Sequence, residues 1–457
     1  MAPGNSTVLE SLEGYLYQYP EIELFTPNST EYDAARECFV IRSARPLAVA
    51  EPTSAEDVEA LVKFSLENNL DFNIRGGGHD SAGRSQVDKS LMIDMRQVDY
   101  VEINEDQTQA RIGGGIQLGK LAERLGEYGL ITPMGSISTV GYVGWATLGG
   151  YGPFSSLYSL GVEQILGAKL INAAGELIVA DEELLHGIRG GGGIFGIIVE
   201  LTISVYPLKE MLASTLTFES SNITDTWLTW TTAWGELLDQ GEVPDALQLQ
   251  QFAMDIPSLG GKVFQVTAAW VDQDQDAGRD WIDKISALAN CTDKSIQAVS
   301  LYNYTENNED VTPWPAYGRA HSVSLKNFTL QSIAVLGQYS ASLVGSGTGI
   351  AVHELRHALP NNASVFGNRM AHHMVEIISV TTNASVAAAA EQWGQGLATD
   401  LREKDPGNVL EGYISLNDDN DTNLRAAYGP NYDTLVHLKE KYDPTNVYKY
   451  AIPKLPI

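Results

Sequence analysis

The chain has 457 residues, of which 44% are hydrophobic, a composition typical of a globular protein and not of a disordered one. Its length predicts two or more domains. The formal net charge of −29 at pH 7 argues against anionic partners, namely nucleic acids and acidic membrane surfaces.

The N-terminus shows neither the basic nor the apolar segment of a secretory leader, and no apolar run predicts a membrane span. Nine asparagines nevertheless begin N-x-S/T sequons. Two interpretations stay open: a cytoplasmic protein with unused sequons, or a secreted protein whose leader was removed. Two cysteines, Cys38 and Cys291, are too few for a disulfide framework and are either two thiols or one bridge.

The first 207 residues alternate predicted helices and strands. Ser54 and Asp57 have the spacing of a capping box, and apolar residues at helical spacing follow as far as Asn68. A strand is predicted over 71–75, followed by further strands over 91–94 and 110–112 and a helix over 118–128.

A glycine turn follows the strand over 71–75 and ends on a histidine, with the residues Gly76, Gly77, Gly78, His79 and Asp80. Glycine is needed where backbone N–H groups approach a ligand closely or where φ is positive. Successive N–H groups in such a turn bind anions. Because a histidine is an unusual packing residue there, we predict that His79 is a reactive group held against the bound ligand.

Two further glycine-rich segments follow, at residues 140–152 and 189–196. Small residues let a backbone pass closely over a planar or anionic ligand. Chain turns alone do not explain three glycine-rich segments so close together in the sequence. We therefore expect all three to contact one ligand. The sequence has no Walker A motif and no early G-x-G-x-x-G, which argues against a P-loop and a nicotinamide Rossmann domain.

The pattern changes after Pro207. Strands are predicted at 246–253, 262–271 and 370–380, and helices at 223–238 and 387–401. This indicates an α+β domain with an antiparallel sheet. The last predicted elements are a helix from Tyr432 and an Asp-Pro turn at 443–444.

Two predicted strands carry polar residues on one face. Over 369–380, alternation groups Met370, His372, Met374 and Glu376. This face is either a pocket wall with acid–base groups or an ordinary half-exposed strand. Over 412–417, alternation groups Tyr413, Ser415 and Asn417.

One segment matches a known metal-binding motif. His353, Glu354 and His357 match H-E-x-x-H, which on a helix binds zinc with the glutamate as base. Pro360 follows closely and breaks a helix, and no further ligand motif follows. A chance match is therefore favoured over a zinc hydrolase, which we keep as an alternative of a different class.

The order and spacing of five motifs resemble those of the FAD-linked, berberine-bridge-enzyme-like oxidases of the vanillyl-alcohol-oxidase (PCMH-type FAD-binding) superfamily. The motifs are R-G-G-G-H at 75–79, V-G-x-x-G with G-G-Y-G at 140–152, R-G-G-G-G-x-F-G at 189–196, N-Y-D at 431–433 and Y-D-P-x-N-V-Y at 442–448. The resemblance covers nearly the whole chain, from about Arg42 onwards.

The resemblance implies a two-domain α+β fold. Residues 1–207 and 419–457 would form the FAD-binding domain, and 208–418 a substrate-binding domain whose antiparallel sheet, backed by helices, covers the flavin ring. It also implies that His79 is bonded covalently to the flavin 8α-methyl group. The residues of the turn are consistent with this link, because an anion-binding turn would hold the pyrophosphate beside this histidine.

The resemblance supplies the expected cofactor-binding residues and no metal. For FAD binding they are Arg75, Gly76, Gly77, Gly78, His79, Asp80, Gly83, Ser138, Val140, Gly141, Gly144, Gly149, Gly150, Tyr151, Gly152, Gly196, Ile198 and Tyr448. For proton transfer we expect Glu376, together with His372 or Tyr151, and this expectation comes from the residues of this chain and not from the resemblance.

Three departures from the family pattern bear on the chemistry. Residues 135–139 hold no cysteine, where many relatives form a second flavin link, so we expect the link through His79 only. Residues 413–416 replace the Tyr-x-Asn-Tyr of many relatives, whose last tyrosine often serves as base. Glu376 stands where relatives often have glutamine.

These departures favour an FAD-dependent oxidase in secondary metabolism. Its partners would be a small specialised metabolite, which loses a hydride, and dioxygen as electron acceptor. Two alternatives remain on the same fold: a redox-neutral cyclase, dehydratase or isomerase, and a carbohydrate or alcohol oxidase.

Overall fold

The computed structural model describes residues 5–309, 314–360 and 362–456. Within these ranges the α-helices are α1 Asn5–Leu16, α2 Tyr32–Ala35, α3 Ala55–Glu67, α4 Leu118–Gly126, α5 Tyr142–Thr147, α6 Ser155–Tyr158, α7 Glu182–Gly191, α8 Ile223–Asp239, α9 Gln275–Ser286, α10 Leu301–Glu309, α11 Leu330–Ala341, α12 Ala387–Lys404, α13 Leu424–Tyr428 and α14 Tyr432–Tyr442. None of these helices combines the length and the apolar character that crossing a membrane requires.

The strands of the same ranges are β1 Glu23–Phe25, β2 Ala48–Glu51, β3 Phe72–Arg75, β4 Leu91–Asp94, β5 Val101–Ile103, β6 Gln109–Gly113, β7 Leu130–Ile131, β8 Ile165–Ile171, β9 Leu177–Val179, β10 Ile197–Ser204, β11 Tyr206–Pro207, β12 Met211–Phe218, β13 Leu247–Ile256, β14 Gly261–Trp270, β15 Cys291–Val299, β16 Tyr317–Leu325, β17 Thr348–Leu355, β18 His372–Thr381 and β19 Val409–Leu410. The expected α+β class is confirmed.

Three sheets form the N-terminal part, of which the smallest is the two-stranded pair β11-β7. The first has the order β1-β2-β4-β3, with β2, β4 and β3 parallel to one another. The second is antiparallel, in the order β5-β6-β10-β8-β9. Ser54 caps the start of α3 by accepting the Asp57 N–H, while the Asp57 carboxylate accepts from the N–H of Thr53 and not from that of Ser54, so only half of the predicted capping box forms. The glycine turn follows the end of β3, which is the edge strand of the first sheet.

An antiparallel eight-stranded sheet follows, in the order β15-β12-β14-β13-β17-β18-β16-β19. Helices α8, α11 and α12 cover one of its faces and bury a tryptophan row, Trp227, Trp230 and Trp234. This confirms the expected antiparallel sheet backed by helices. All eight strands lie within residues 208–418, while the domain boundaries themselves stay a prediction.

The C-terminal segment returns to the N-terminal part. Helix α14 packs against α7, and the buried Lys439 donates to the carbonyl of Ile194 at 2.8 Å and to Asp443 at 2.5 Å. The Tyr428 hydroxyl donates to the carbonyl of Gly190 at 2.8 Å. The last residues therefore hold the third glycine segment in place.

Cys38 and Cys291 are both free thiols. Cys38 is buried next to the glycine turn, and Cys291 begins β15 at the edge of the large sheet. The alternative of a disulfide bridge between them is therefore wrong.

Strand alternation in β17 places Glu354 on the helix-covered face of the large sheet. Its carboxyl group is buried and accepts the indole N–H of Trp234 at 2.6 Å. Burial raises the pKa of Glu354 from its ordinary value of 4.5 to about 7. The folded protein therefore holds a proton on this group that the unfolded chain releases near pH 4.5.

We expect the stability of the protein to fall as the pH rises from about 4.5 to about 7, because the folded state binds more protons across that window. The contribution lost is about 3 kcal/mol. Glu354→Gln keeps an acceptor for Trp234 and should remove this part of the pH dependence. Chemical denaturation of both proteins at pH 5 and pH 7.5 measures the effect; equal pH dependence in the two would contradict it.

Candidate functional site

A cavity of about 490 Å³ lies between the three glycine segments and the uncovered face of the large sheet. On one side it is lined by what we call the glycine face, formed by Gly76, Gly77, Gly78, Val140, Gly141, Gly144, Gly193 and Gly196. On the other it is lined by the sheet face, formed by Gln250, Phe252, Met254, Ala320, Ala351, His353, Met374, Glu376, Ile378 and Val380. The volume lies in the range of ligand and cofactor sites.

The first two glycine segments touch each other backbone to backbone. A Cβ atom at Gly77 would lie 2.3 Å from the backbone nitrogen of Gly141 and 2.5 Å from the carbonyl oxygen of Thr139. A Cβ at Gly141 would lie 2.6 Å from the nitrogen of Gly77. Only glycine fits at these two positions, and the contact brings the end of the first turn next to Thr139.

Gly77→Ala should therefore damage the site. The backbone atoms that it meets cannot turn away, so we expect a loss of about 1–3 kcal/mol in the free energy of unfolding and a lower flavin content of the purified protein. Gly126→Ala is the matched control, since a Cβ there meets nothing within 4 Å. Thermal unfolding and the absorbance of bound flavin measure both effects. Wild-type values for Gly77→Ala would contradict the close contact.

The turn that ends on His79 presents unused donors. Within the described residues, the backbone N–H groups of Gly77, Gly78 and His79 have no hydrogen-bond partner. Gly78 has a φ of +78°, which a glycine adopts freely. Consecutive free N–H groups at the wall of a cavity fit an anionic ligand such as a pyrophosphate.

The imidazole ring of His79 lines the cavity and is held on three sides. Phe39 stacks on it with ring centroids 5.5 Å apart and planes 19° apart, and the ring of Trp314 lies at 5.0 Å. The Nε2 atom is 2.7 Å from the hydroxyl oxygen of Thr139. Burial lowers the pKa of His79 to about 4, against a smaller opposite effect of Glu309, so the ring is neutral near pH 7.

A chain of three polar side chains crosses the sheet face. The amide nitrogen of Gln250 lies 2.6 Å from Nδ1 of His353, and Nε2 of His353 lies 3.1 Å from Oε2 of Glu376. Because the amide nitrogen can only donate, Nδ1 accepts and Nε2 donates its proton to the carboxylate. Glu376 is thereby fixed in one orientation, facing the cavity from β18.

Tyr151 lines the cavity but its hydroxyl group is engaged. It lies 2.7 Å from Nε2 of His372, whose Nδ1 is 2.7 Å from the carbonyl oxygen of Met370. Since Nδ1 must donate to that carbonyl, Nε2 accepts the tyrosine proton. Burial raises the pKa of Tyr151 above its ordinary value of 10 and lowers that of His372. This pair is therefore a neutral hydrogen bond that anchors Tyr151.

Of the three residues expected to transfer a proton, two line the cavity and one does not. Glu376 and Tyr151 line the cavity, whereas His372 lies behind Tyr151 and does not. Over 412–417 the predicted strand is wrong: the residues form turns, because strand pairing in this region ends with β19. Tyr413 still lines the cavity, with its hydroxyl donating to the carbonyl of Trp145 at 2.8 Å.

The expected FAD-binding residues divide into two groups. Those that line the cavity are Gly76, Gly77, Gly78, His79, Asp80, Val140, Gly141, Gly144, Tyr151, Gly196 and Ile198. Those that the structure places outside the lining are Arg75, Gly83, Ser138, Gly149, Gly150, Gly152 and Tyr448. Their assignment to FAD binding stays a prediction.

Several of the second group shape the site from behind. The guanidinium of Arg75 is buried, lies 3.3 Å from Asp94 and donates to the carbonyl of Ala35, so it anchors the start of the turn. A Cβ at Gly152 would lie 2.0 Å from the carbonyl oxygen of Met134. The hydroxyl of Tyr448 donates to the carbonyl of Ile171 at 2.6 Å. These contacts support the glycine face without reaching the cavity.

The H-E-x-x-H pattern does not form a metal site. His353 and Glu354 lie on β17 with opposite orientations, and His357 is exposed in the following loop, 2.6 Å from Asp245. In the described part of the chain, no group of three or more His, Cys, Asp or Glu side chains is arranged to hold a metal ion. The two histidines therefore do not share one face of a helix.

Sequence reasoning missed Gln250 and His353 as members of the cavity wall. Alternation in the predicted strand over 246–253 places Gln248 and Gln250 on the face opposite Leu247 and Leu249, which was a usable signal. His353 was assigned to a chance motif because its strand was not recognised. It also missed Thr139 and Glu309, for which no local signal exists.

The residues present fit an FAD molecule. Free N–H donors stand at one end of the glycine face, the close backbone contacts leave a flat surface, and a neutral imidazole borders the cavity. A dinucleotide with a planar ring system needs these features: donors for its pyrophosphate and a slot for its ring.

Comparisons with known proteins agree with this fit. A family model described as FAD binding domain matches residues 46–181, and one described as Berberine and berberine like matches residues 417–452. The chain is 30% identical over 446 residues to the FAD-linked oxidoreductase aurO of Gibberella zeae, covering 96% of this chain and 86% of that protein.

Solved structures share the fold. The structure of 6-hydroxy-D-nicotine oxidase from Arthrobacter nicotinovorans matches with a TM-score of 0.82 and 22% identity, over 95% of this chain and 98% of that one. Glucooligosaccharide oxidase from Acremonium strictum, described with a 6-S-cysteinyl, 8α-N1-histidyl FAD, matches with a TM-score of 0.80 and 19% identity, over 96% and 97%. At these identities the likeness establishes the fold only.

Proposed function

This chain belongs to the berberine-bridge-enzyme-like family of FAD-linked oxidoreductases, and we propose that it oxidises a small, largely apolar metabolite with dioxygen as the final electron acceptor. FAD held in the cavity would supply a two-electron acceptor for hydride and a route for the electrons to dioxygen. The residues of the chain bind the cofactor, exclude water and move a proton.

We place the covalent link to FAD at His79 alone. Its ring lines the cavity beside the free N–H donors of the glycine turn, and a neutral imidazole has a lone pair available for bonding. Neither cysteine of the chain lines the cavity, so no thiol is available for a second link. A covalent link through histidine is described for the glucooligosaccharide oxidase of the same fold.

The sheet face carries few polar groups, which favours an apolar substrate over a sugar. Phe252, Met254, Met374 and Ile378 dominate it, and two of its three polar side chains, Gln250 and His353, are bonded to each other. A sugar carries a hydroxyl on almost every carbon, and each would be buried here without a partner at a cost of about 1–3 kcal/mol. The wall suits a flat aromatic or alicyclic compound that carries one polar group near Glu376.

Glu376 is the residue placed to take the proton. Its carboxylate faces the cavity opposite the glycine face, and His353 holds one oxygen while the other stays free for the substrate. A carboxylate in hydrogen-bond reach of a hydroxyl or amine removes its proton as hydride leaves the neighbouring carbon. This fixed carboxylate is the observation that carries the proposal.

Anaerobic titration tests the proposed reaction. A panel of phenolic polycycles, aromatic amines and oligosaccharides is mixed with purified protein, and the flavin absorbance is followed before and after admission of air. We expect at least one apolar compound to bleach the flavin, the colour to return in air with hydrogen peroxide formed, and the sugars to be inert. Bleaching by sugars alone would contradict the substrate class.

Oxygen uptake separates oxidation from the redox-neutral alternative. A cyclase, dehydratase or isomerase on this fold would convert substrate without net consumption of dioxygen. Product formed without oxygen uptake would therefore overturn the proposed oxidase activity while leaving the assignment of FAD to the cavity intact.

A further inference from the structure

Behind the ring of His79 lies a hydrogen-bonded pair that the oxidation chemistry does not use. The hydroxyl group of Thr139 lies 2.7 Å from Nε2 of His79 and donates to Oε1 of Glu309 at 2.8 Å. The other oxygen of Glu309 accepts from the Ser138 hydroxyl at 2.8 Å and from the Thr139 N–H at 3.2 Å. The carboxylate is thereby fixed at the end of α10, on the far side of Thr139 from the imidazole.

These contacts determine where the imidazole proton is. A hydroxyl has one proton, and that of Thr139 is directed at the Glu309 carboxylate. Its oxygen therefore accepts the proton of Nε2 from His79. Nδ1 is left with its lone pair, and among the described residues none hydrogen-bonds to that atom.

The ring cannot easily leave this orientation. Phe39 and Trp314 pack against it with centroids 5.5 Å and 5.0 Å away. The close contact of Gly77 and Gly141 holds the backbone on either side of the His79–Thr139 pair. Rotation of the ring would break the bond to Thr139 and move it against two aromatic side chains.

We propose that Thr139 and Glu309 are positioning residues for the covalent attachment of FAD, which orient Nδ1 of His79 and receive the proton of its Nε2. This inference rests on the proposed link through His79. It gives the chain a self-modification site of three residues, separate from the proton transfer at Glu376.

Attachment of FAD exchanges one C–H bond of the flavin for a C–N bond to His79. Nδ1 of His79 forms a bond to the 8α-methyl carbon, and one C–H bond of that methyl group breaks. The Nε2 proton passes through the Thr139 hydroxyl to Glu309. The broken C–H bond gives up its proton and its two electrons, and the electrons pass to dioxygen. Dioxygen takes up that proton and the one received by Glu309, and becomes hydrogen peroxide. Glu309, as a fixed carboxylate, is a suitable proton acceptor.

The rate of attachment tests this role. Full-length protein is isolated after brief induction, incubated in air with excess FAD, and sampled for flavin that stays with acid-precipitated protein. We expect Thr139→Val and Glu309→Gln to slow attachment on the order of 100-fold. Thr139→Ser keeps the hydroxyl, and Glu306→Gln makes the same change on an exposed residue of α10, so both should match the wild type.

Total bound flavin is measured in the same samples and should be equal in all of these proteins. Wild-type rates in Thr139→Val and Glu309→Gln would overturn the proposal, and so would a Thr139→Ser variant as slow as Thr139→Val. A loss of total flavin that parallels the slower attachment would show a role in binding instead, which also overturns it. Acid release of flavin from the fully incubated wild type is a different result, since it contradicts the link through His79 itself.

Discussion

Replacing His79 with alanine should turn a flavin that stays with precipitated protein into one that acid releases completely. The neutral imidazole borders the cavity beside the free N–H donors, and neither cysteine lines it. The N–H donors belong to the backbone and remain in the variant. His79→Ala should therefore still bind FAD, but only non-covalently.

The measurement is the flavin absorbance of pellet and supernatant after acid precipitation. His437→Ala, which changes an exposed histidine of α14, is the matched control and should keep its flavin in the pellet. Acid-resistant flavin in His79→Ala would contradict the link through His79, because another side chain would then form it.

Glu376→Gln should lower the rate of flavin reduction by substrate by about 10²–10⁴-fold while leaving the flavin content unchanged. The amide has the shape of the carboxylate but cannot take a proton. It can still accept from Nε2 of His353, so the wall of the cavity should keep its form. Anaerobic stopped-flow absorbance with the most active compound of the panel gives the rate.

A double-mutant cycle assigns the role of His353. Because it contacts Glu376 and acts through that carboxylate, its replacement by alanine should slow the wild type and have little further effect in the Glu376→Gln protein. Glu403→Gln, on the exposed side of α12, controls for the loss of a charge. Full rates in Glu376→Gln would show that the proton leaves by another route.

The glycine side of the site could be predicted because its chemistry lies in short, continuous segments. The turn from Gly76 to Asp80 brings donors and a histidine together over five residues, so the sequence alone indicates an anion site beside a reactive ring. What it could not show is that Gly77 and Gly141 touch, since no local pattern encodes a contact between two distant turns.

The residues of the sheet face were harder to predict from the sequence, because their meeting depends on the register of strand pairing. Gln250, His353 and Glu376 come from β13, β17 and β18. They meet because Gln250 pairs with His353, and Glu376 pairs with Ala351, two residues before His353 on the same face of β17. A shift of one residue in either pairing would turn His353 to the other face. The H-E-x-x-H pattern misled for the same reason, since its meaning depends on a helix that does not form.

The Thr139–Glu309 contact lay furthest from prediction. Its partners are separated by 170 residues and by the first four strands of the large sheet, and each is an ordinary polar residue in its own segment. Neither spacing nor composition singles them out. The expected strand over 412–417 failed for a smaller reason: alternation of polar and apolar residues also occurs in turns that line a cavity.

The central claim is that FAD lies against the glycine face, bonded to His79. The most direct measurement is digestion of acid-precipitated wild-type protein with trypsin, followed by isolation of the yellow peptide and mass spectrometry. Cleavage after Arg75 and Arg84 gives a peptide of residues 76–84, in which His79 is the one histidine. We predict that this peptide carries the flavin; a yellow peptide from elsewhere in the chain, or a colourless digest, would contradict the account.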